Sequence, residues 1–253
     1  MRRRNYRQNQ RPAGPPLRQR LGRMLWRLGI VALLASIVLV GWLVYQSPLL
    51  QVREVSVAGA ESLDPAVVVA VSGLKGQNIV QVDTATAKSR LLALPAVKDV
   101  SISRRWPGRM LVRVEERQPW GYWQVKEQPY VIDEEGVVLD DVRPDEGAPT
   151  IFELDSERRL VAGDRVDTDA VSLSRQLIDE SPRALKQNVA KLEYSEHFGL
   201  TVAFDGGLRA TFGDSRDLDY KLGVLYVLLE KGQEQSFAVH SVDLRFGESV
   251  SFQ

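Results

Sequence analysis

The spacing of hydrophobic and polar positions divides the chain into one long apolar segment and a larger part with shorter periods. Residues 28–52 contain no charged residue, and apolar residues fill most positions from Leu28 to Tyr45. Because a helix rises about 1.5 Å per residue, roughly 20 such residues reach across the ~30 Å hydrocarbon layer of a bilayer. The pattern therefore predicts a transmembrane helix over residues 28–48.

The segment that follows, residues 49–118, predicts a small α+β unit. Its first strand is predicted from apolar residues that alternate with polar ones, at Val52, Val55 and Val57. Pro65 and Gly73 bound a first short helix, and a second begins after Asp83 and ends at Pro95. A run of valines in the first helix also suits a strand, and only the start and stop residues favour a helix.

Two further strands meet in a hairpin within residues 101–116, SISRRWPGRMLVRVEE. Pro107 at the second turn position and Gly108 at the third predict a type II turn. The predicted order is strand, helix, helix, strand, strand. In this order both helices can cover one face of a sheet formed by the strands.

Residues 119–253 predict a second domain, mainly of antiparallel β-strands with packing helices. A meander turns at residues 133–136, a Gly-Gly hairpin turns at residues 206–207, and a last strand covers residues 241–252. A strand at the end of a chain can lie at the edge of a sheet, where its backbone N–H and C=O groups accept a foreign strand. Edge binding and ordinary sheet packing both remain open for this strand.

Two helices are predicted within this second domain. The first is capped by Thr168 or Asp169, continues to about Glu180 and is stopped or bent by Pro182. The second carries one apolar stripe, formed by Leu218, Leu222, Leu225 and Leu229 and widened by Tyr226 and Val227. We expect this stripe to pack on the sheet, with a groove for a partner helix as the alternative.

Charge is distributed unevenly, although the formal net charge is zero. Residues 1–27 hold nine arginines and no acidic residue, which leaves 24 basic against 33 acidic residues in the rest. An excess of Arg on one side of a membrane helix predicts a cytoplasmic N-terminus, with the bulk of the chain beyond the inner membrane. We predict that residues 2–20 of this tail are disordered, with binding of nucleic acid or anionic lipid as the alternative. The length of the apolar segment disfavours a cleaved secretory signal.

Few residues point to chemistry. The chain has no Cys, which excludes disulfides, Cys-ligated zinc and a thiol nucleophile. Asp133, Glu134 and Glu135 are consecutive, whereas a calcium loop needs ligands at alternate positions, so we interpret them as solvated turn charges. His197 and His240 lie far apart, with no nucleophile motif near either. The sequence predicts no catalytic residue, no metal site and no cofactor, while a hydrolase site assembled from distant carboxylates remains open.

Three stretches of the chain together resemble one known family. They are SRRWPGRMLVRVEERQPWGYW from Ser103, YVIDEEGVVL from Tyr130 and VHSVDLRFGESVSF from Val239. In this order, after a single membrane span, they resemble the bacterial cell-division family FtsQ/DivIB, in which a POTRA domain follows the membrane helix. Gly121 departs from the Ala that is commoner there, although the position stays small.

The resemblance implies a non-enzymatic scaffold that spans the inner membrane once and helps to control septal wall synthesis at the division septum. The chain is then divided into a cytoplasmic tail (1–27), the membrane helix (28–48), the POTRA domain (49–118) and the β domain (119–253). The implied partners are FtsB and FtsL, with FtsK as a further candidate, and neither nucleic acid nor a small-molecule substrate is expected. The alternative is a POTRA-containing component of protein export or outer-membrane assembly.

The resemblance also implies two binding surfaces. The first is the terminal strand, to which FtsB would add a strand, at Ser241, Arg245, Phe246, Gly247, Glu248, Ser249, Val250 and Phe252. There Arg245 would pair with an acidic partner residue and Phe246 would anchor the partner strand. The second is a recruitment surface at Ile102 and Arg104, although Arg104 and Arg105 also suit ordinary solvent-facing positions.

Overall fold

The described part of the chain begins with a long helix. The structure, a computed structural model, describes residues 17–45, 50–235, 239–245 and 251–252. Helix α1 covers Leu17–Tyr45, and its window Trp26–Leu43 is exposed throughout and long and apolar enough to cross a membrane. The predicted disorder of residues 2–20 is wrong for residues 17–20, which belong to α1. They are helical because Leu, Arg and Gln are good helix formers and no proline interrupts them.

The first module, residues 50–116, has the predicted order of elements. It consists of β1 (Glu54–Ala58), α2 (Pro65–Ser72), α3 (Thr84–Leu92), β2 (Val97–Arg105) and β3 (Arg109–Glu116). Strand β3 lies between β1, to which it is parallel, and β2, to which it is antiparallel. The α+β prediction for this part of the chain is confirmed.

Capping residues explain where the two short helices begin and end. The Asp64 carboxylate accepts a hydrogen bond from a first-turn N–H at 2.8 Å, Pro65 follows it, and Gly73 ends α2 with φ 62°. Asp83 caps α3 in the same way, at 2.9 Å. The strand alternative for the valine run is therefore wrong, because the caps at both ends favour a helix.

Both helices cover one face of the three-stranded sheet and enclose a first core. Its buried side chains include Val68, Leu74, Ile79, Leu91, Val100, Met110 and Val112. The hairpin turn between β2 and β3 has a cis Trp106–Pro107 peptide, and Gly108 has a positive φ of 63°.

The second module, residues 119–252, is built on one large sheet. Its elements are β4 (Pro119–Val125), β5 (Gln128–Asp133), β6 (Val138–Leu139), β7 (Thr150–Glu153), α4 (Thr168–Ala184), β8 (Val189–Ser195), β9 (Gly199–Phe204), β10 (Arg209–Gly213), α5 (Leu218–Gln235), β11 (Ser241–Asp243) and β12 (Ser251–Phe252). Within the described residues the strand order is β12-β11-β10-β9-β8-β7-β4-β5-β6. Neighbouring strands are antiparallel except for the parallel pairs β4–β7, β7–β8 and β10–β11. The predicted β domain with packing helices is confirmed, and its parallel pairs were not foreseen.

One row of buried residues crosses the core side of this sheet from strand to strand. In register order it consists of Trp123, Ile151, Leu192, Val202, Ala210 and Val242. Helices α4 and α5 pack on the same side, where Leu173, Leu177, Leu222 and Leu225 are buried in the same cluster. Both helices therefore pack on the sheet, as predicted.

The start and end of α4 differ from the prediction. Asp167 caps the helix, rather than Thr168 or Asp169, because its carboxylate accepts a hydrogen bond from a first-turn N–H at 2.7 Å. The helix also continues past Pro182 to Ala184. Proline lacks a backbone N–H and so removes one hydrogen bond of the helix. Because Pro182 lies two residues before the end of α4, few helical hydrogen bonds remain beyond it.

The apolar stripe of α5 is narrower than predicted. Leu218, Leu222 and Leu225 are buried, whereas Tyr226 and Val227 are 48% and 45% exposed. The stripe follows helical spacing, and Tyr226 and Val227 fall outside it, on the side turned to solvent. The widening of the stripe by these two residues is therefore wrong.

Candidate partner-binding surfaces

The predicted terminal strand is two short strands rather than one. Strand β11 lies parallel to β10, and β12 turns back to pair antiparallel with β11. In the strand order of the described residues, β12 is the outermost strand at one end of the sheet. The backbone of Phe252, in β12, lies opposite that of Val242 in β11. The predicted site residues Phe246, Gly247, Glu248, Ser249 and Val250 lie outside the described residues.

Arg245, which follows β11, is held by the residue two positions before it. Its Nε lies 2.9 Å from Asp243 Oδ1, and its Nη2 lies 2.6 Å from Asp243 Oδ2. The same guanidinium lies 4.8 Å from the centre of the half-exposed Phe198 ring, a cation–π contact. Hydrogen bonding to Arg245 lowers the pKa of the Asp243 carboxyl. Arg245 thus forms an ion pair with Asp243. Sequence reasoning missed both of its neighbours, Asp243 and Phe198.

An open cavity of about 580 Å³ adjoins the Arg245–Asp243 pair. Its lining includes Arg245, Phe198, Tyr194, Asp167, Asp169 and Asp214. The Tyr194 hydroxyl donates to Asp167 at 3.0 Å, and burial together with this bond raises the pKa of Tyr194. In the described part of the chain, no three His, Asp or Glu side chains are placed to hold a metal ion. We therefore assign no metal to these carboxylates.

The second predicted surface, at Ile102 and Arg104, lies on β2. Ile102 is partly buried and packs against the first core. Arg104 Nε donates to the carbonyl oxygen of Ile79 at 2.9 Å, and Nη2 donates to that of Val82 at 3.1 Å. Arg104 is exposed, as a solvent-facing position would be, and its guanidinium also holds the segment before α3. Recruitment through Ile102 and Arg104 stays a prediction.

The junction between the modules is held by two adjacent residues that sequence reasoning missed. The first is Glu116, the last residue of β3, whose buried carboxylate accepts the N–H groups of Glu61 and Leu63 at 2.9 Å. It also accepts the N–H and the hydroxyl of Ser62. Burial opposes ionisation, but these hydrogen bonds together outweigh it and hold the pKa of Glu116 below its ordinary value. Glu116 thus fixes the loop that leads into α2.

The second junction residue, Arg117, binds the opposite module. Its Nη1 lies 2.5 Å from Asp133 Oδ2 and 2.9 Å from Glu135 Oε2. Burial works against the charged guanidinium, but hydrogen bonds to Glu135 and Asp133 outweigh it and raise the pKa of Arg117. Asp133 is only 4% exposed, so its interpretation as a solvated turn charge is wrong. Arg117, which directly follows β3, supplies the positive charge that compensates the buried Asp133 carboxylate.

Two family models match the chain. Residues 50–117 match the FtsQ-type POTRA domain, and residues 121–245 match the C-terminal part of the cell division protein FtsQ/DivIB. The second match ends at Arg245, so the predicted terminal surface continues beyond it.

Curated cell-division proteins are similar to this chain over most of its length. The cell division protein FtsQ of Chloroflexus aurantiacus is 32% identical over 183 residues, which cover 72% of this chain and 67% of the relative. That of Chloroflexus aggregans is 30% identical over 183 residues, with the same shares of 72% and 67%. That of Corynebacterium glutamicum is 27% identical over 218 residues, which cover 85% of this chain and 94% of the relative. Such coverage includes parts of both modules.

Proposed function

We propose that this chain, which belongs to the FtsQ/DivIB family of cell-division proteins, is a membrane-anchored scaffold of the division machinery without enzymatic activity. Its N-terminus lies in the cytoplasm, and both modules lie beyond the inner membrane at the division septum. The length and apolar character of the window Trp26–Leu43 support the anchorage. The nine arginines of residues 1–27, without an acidic residue among them, support the orientation.

The scaffold binds partners of the FtsB and FtsL type by strand addition at β12. The observation that carries this proposal is the position of β12 as the outermost strand at one end of the described sheet. Such a strand offers backbone N–H and C=O groups to a foreign strand. A partner carboxylate would share the Arg245 guanidinium with Asp243, beside the predicted contacts at Ser241, Phe246, Gly247, Glu248, Ser249, Val250 and Phe252. Holding these partners at the septum would help to control septal wall synthesis.

Recruitment through Ile102 and Arg104 is the second part of the proposal, with FtsK as a candidate partner. Arg104 is exposed, but its guanidinium also binds two carbonyl oxygens of its own module, so a substitution there changes stability as well as any partner contact. Any test of recruitment therefore needs a parallel measurement of stability.

Co-purification from membranes tests the terminal site. The full chain is expressed with FtsB and FtsL, and partner recovery is compared between the unchanged chain and Arg245→Met. We expect Arg245→Met to lower the recovery of FtsB and FtsL by an amount that corresponds to about tenfold weaker binding, the effect of losing one charged hydrogen bond at an interface. Arg175→Met is the matched control, because Arg175 also pairs with one carboxylate, Glu134, at 2.9 Å, but belongs to α4.

A second measurement guards against a folding defect in Arg245→Met. A photo-crosslinking residue at Ser241, which is exposed on β11, should capture FtsB in an otherwise unchanged chain. Unchanged recovery with Arg245→Met, together with no crosslink from position 241, would contradict the terminal site. The division role is tested separately with a fluorescent protein fused before Met1. A band at mid-cell supports it, and uniform envelope fluorescence favours the export alternative.

A further inference from the structure

The tip of the β2–β3 hairpin lies next to the end of the membrane helix. Arg53 N donates to the carbonyl oxygen of Gly108 at 2.8 Å, so the tip packs on the chain eight residues after the end of α1. Asn78 Nδ2 also donates to the carbonyl oxygen of Tyr45, the last residue of α1, at 3.0 Å. Covalent connection and hydrogen bonding thus bring this end of the first module to the end of α1.

The side chains at the tip are those that favour a lipid headgroup region. Trp106 is 58% exposed, and indole rings prefer the interface between water and hydrocarbon. Arg105 and Arg109 are exposed and lie directly opposite each other across the two strands. Like charges in such a pair repel. On the other side of Arg109, Glu54 of β1 lies opposite it, so one carboxylate accompanies the two guanidinium groups.

Val80 extends the same end of the module. It is 53% exposed and lies in the segment that Arg104 ties to β2 through the carbonyl oxygens of Ile79 and Val82. An exposed indole, an exposed aliphatic side chain and two arginines with one neighbouring carboxylate therefore occupy the part of the module nearest to α1.

We propose that this surface, formed by Val80, Arg105, Trp106 and Arg109, docks on the anionic lipid leaflet from which α1 emerges. The proposal rests on the membrane anchorage proposed above. Trp106 lies at headgroup level, and the two arginines bind lipid phosphates, which relieves their mutual repulsion. Strand β3 then leads away from the bilayer and can place Glu116 up to about 24 Å from the tip, the length of an eight-residue strand. Docking thereby sets the height and direction of the second module.

Depth-dependent quenching tests the docking in the full chain. Because the chain has no Cys, a single cysteine can be labelled at one chosen position. Ser103→Cys carries a fluorophore on an exposed β2 position near the tip, and Glu115→Cys carries it near the far end of β3. The labelled proteins are inserted into nanodiscs of phosphatidylglycerol and phosphatidylcholine that contain headgroup spin-labelled lipid.

We expect strong quenching at position 103 and little at position 115. The double variant Arg105→Ser/Arg109→Ser should lower the ratio of docked to undocked module about fivefold for each arginine removed, the effect of an anionic leaflet on one nearby cation. Trp106→Ala should lower it as well. Arg113→Ser is the matched control, since Arg113 is exposed and follows Arg109 on the same face of β3, and it should leave quenching unchanged.

Two results would overturn the docking. Quenching at position 103 that is equal in discs of phosphatidylcholine alone, and unchanged in the double variant, would show mere proximity caused by the tether. No quenching at position 103 would show that the tip stays clear of the leaflet. Failure of the chain to enter the discs would instead contradict the anchorage itself. An unchanged unfolding midpoint of each variant shows that its quenching reports docking rather than unfolding.

Discussion

Arg117 Nη1 lies 2.5 Å from the buried Asp133 Oδ2, and this ion pair joins the residue that follows β3 to the end of β5 in the second module. The preceding residue, Glu116, is bound by the loop before α2. Two consecutive side chains therefore hold opposite sides of the junction. A connection of two residues between β3 and β4, so fixed, favours a constant orientation of the modules.

Asp133→Asn should destabilise the protein by about 2 kcal/mol, because Arg117 loses one of its two carboxylate partners and keeps only Glu135. The amide keeps an oxygen for the N–H groups of Glu135 and Val137, so the turn itself is retained. Chemical denaturation measures the loss. Glu134→Gln in the same turn is the control and should change stability by less than about 1 kcal/mol, since Glu134 forms an exposed pair. Equal effects of the two variants would contradict the role of the buried pair.

Glu116→Gln should destabilise the protein by about 2 kcal/mol at pH 7, and less as the medium becomes acidic. The folded pKa of Glu116 lies below its ordinary value of 4.5, so its stabilising effect is present above pH 4.5 and is lost as the pH falls through the folded pKa. Thermal unfolding from pH 7 to pH 3 measures the difference between the variant and the unchanged chain. A difference that does not shrink with acid would contradict the ionised, hydrogen-bonded carboxylate. Glu115→Gln, an exposed neighbour, is the control.

Arg104→Met should destabilise the first module by about 1–2 kcal/mol, because the carbonyl oxygens of Ile79 and Val82 lose a charged donor. Arg105→Met, one position further, should stay within about 0.5 kcal/mol. Denaturation and recruitment to the septum are measured on the same variants. If Arg104→Met abolishes recruitment while stability is unchanged, Arg104 acts as a direct contact rather than as a support for the segment.

Gly199→Ala should cost more stability than Gly207→Ala, although both glycines have positive φ, of 68° and 86°. A Cβ at Gly199 would lie 2.1 Å from the carbonyl oxygen of Gly213, whereas one at Gly207 meets open space. We expect Gly207→Ala to lower the free energy of unfolding by about 1 kcal/mol, because of its left-handed conformation. Gly199→Ala adds the clash and should lower it by at least about 3 kcal/mol. Unfolding midpoints compare the two, and equal midpoints would show that β9 and β10 separate easily.

The Gly199 clash also bears on the terminal surface. Gly213 adjoins Arg245, and a Cβ at position 213 would lie 2.9 Å from Arg245 Cγ. Movement of β10 in Gly199→Ala would therefore reach the Arg245–Asp243 pair, so partner recovery should fall with Gly199→Ala and remain with Gly207→Ala.

For the terminal binding site, the sequence indicated where the site lies but not the contacts that its residues form. A strand at the chain end can lie at a sheet edge, one of the two alternatives left open above, and β12 lies at one end of the described order. The reversal between β11 and β12 was missed, because apolar residues stand at alternate positions from Val242 to Phe252 with only Glu248 as an exception. The partners of Arg245, Asp243 and the Phe198 ring, were missed because Phe198 is far from Arg245 in sequence and an Asp two residues away in a strand is commonly solvated.

The sequence by itself determined the local elements. The bounds of α2 follow from Asp64, Pro65 and Gly73, and the length of the apolar segment determines that α1 can span a bilayer, because both depend on neighbouring residues. Tertiary structure alone decided the strand order, its parallel pairs and the burial of Asp133. Periods of 2 and 3.6 residues report which face of an element is apolar. Which element covers that face, and which charges meet there, depends on contacts between residues far apart in the chain.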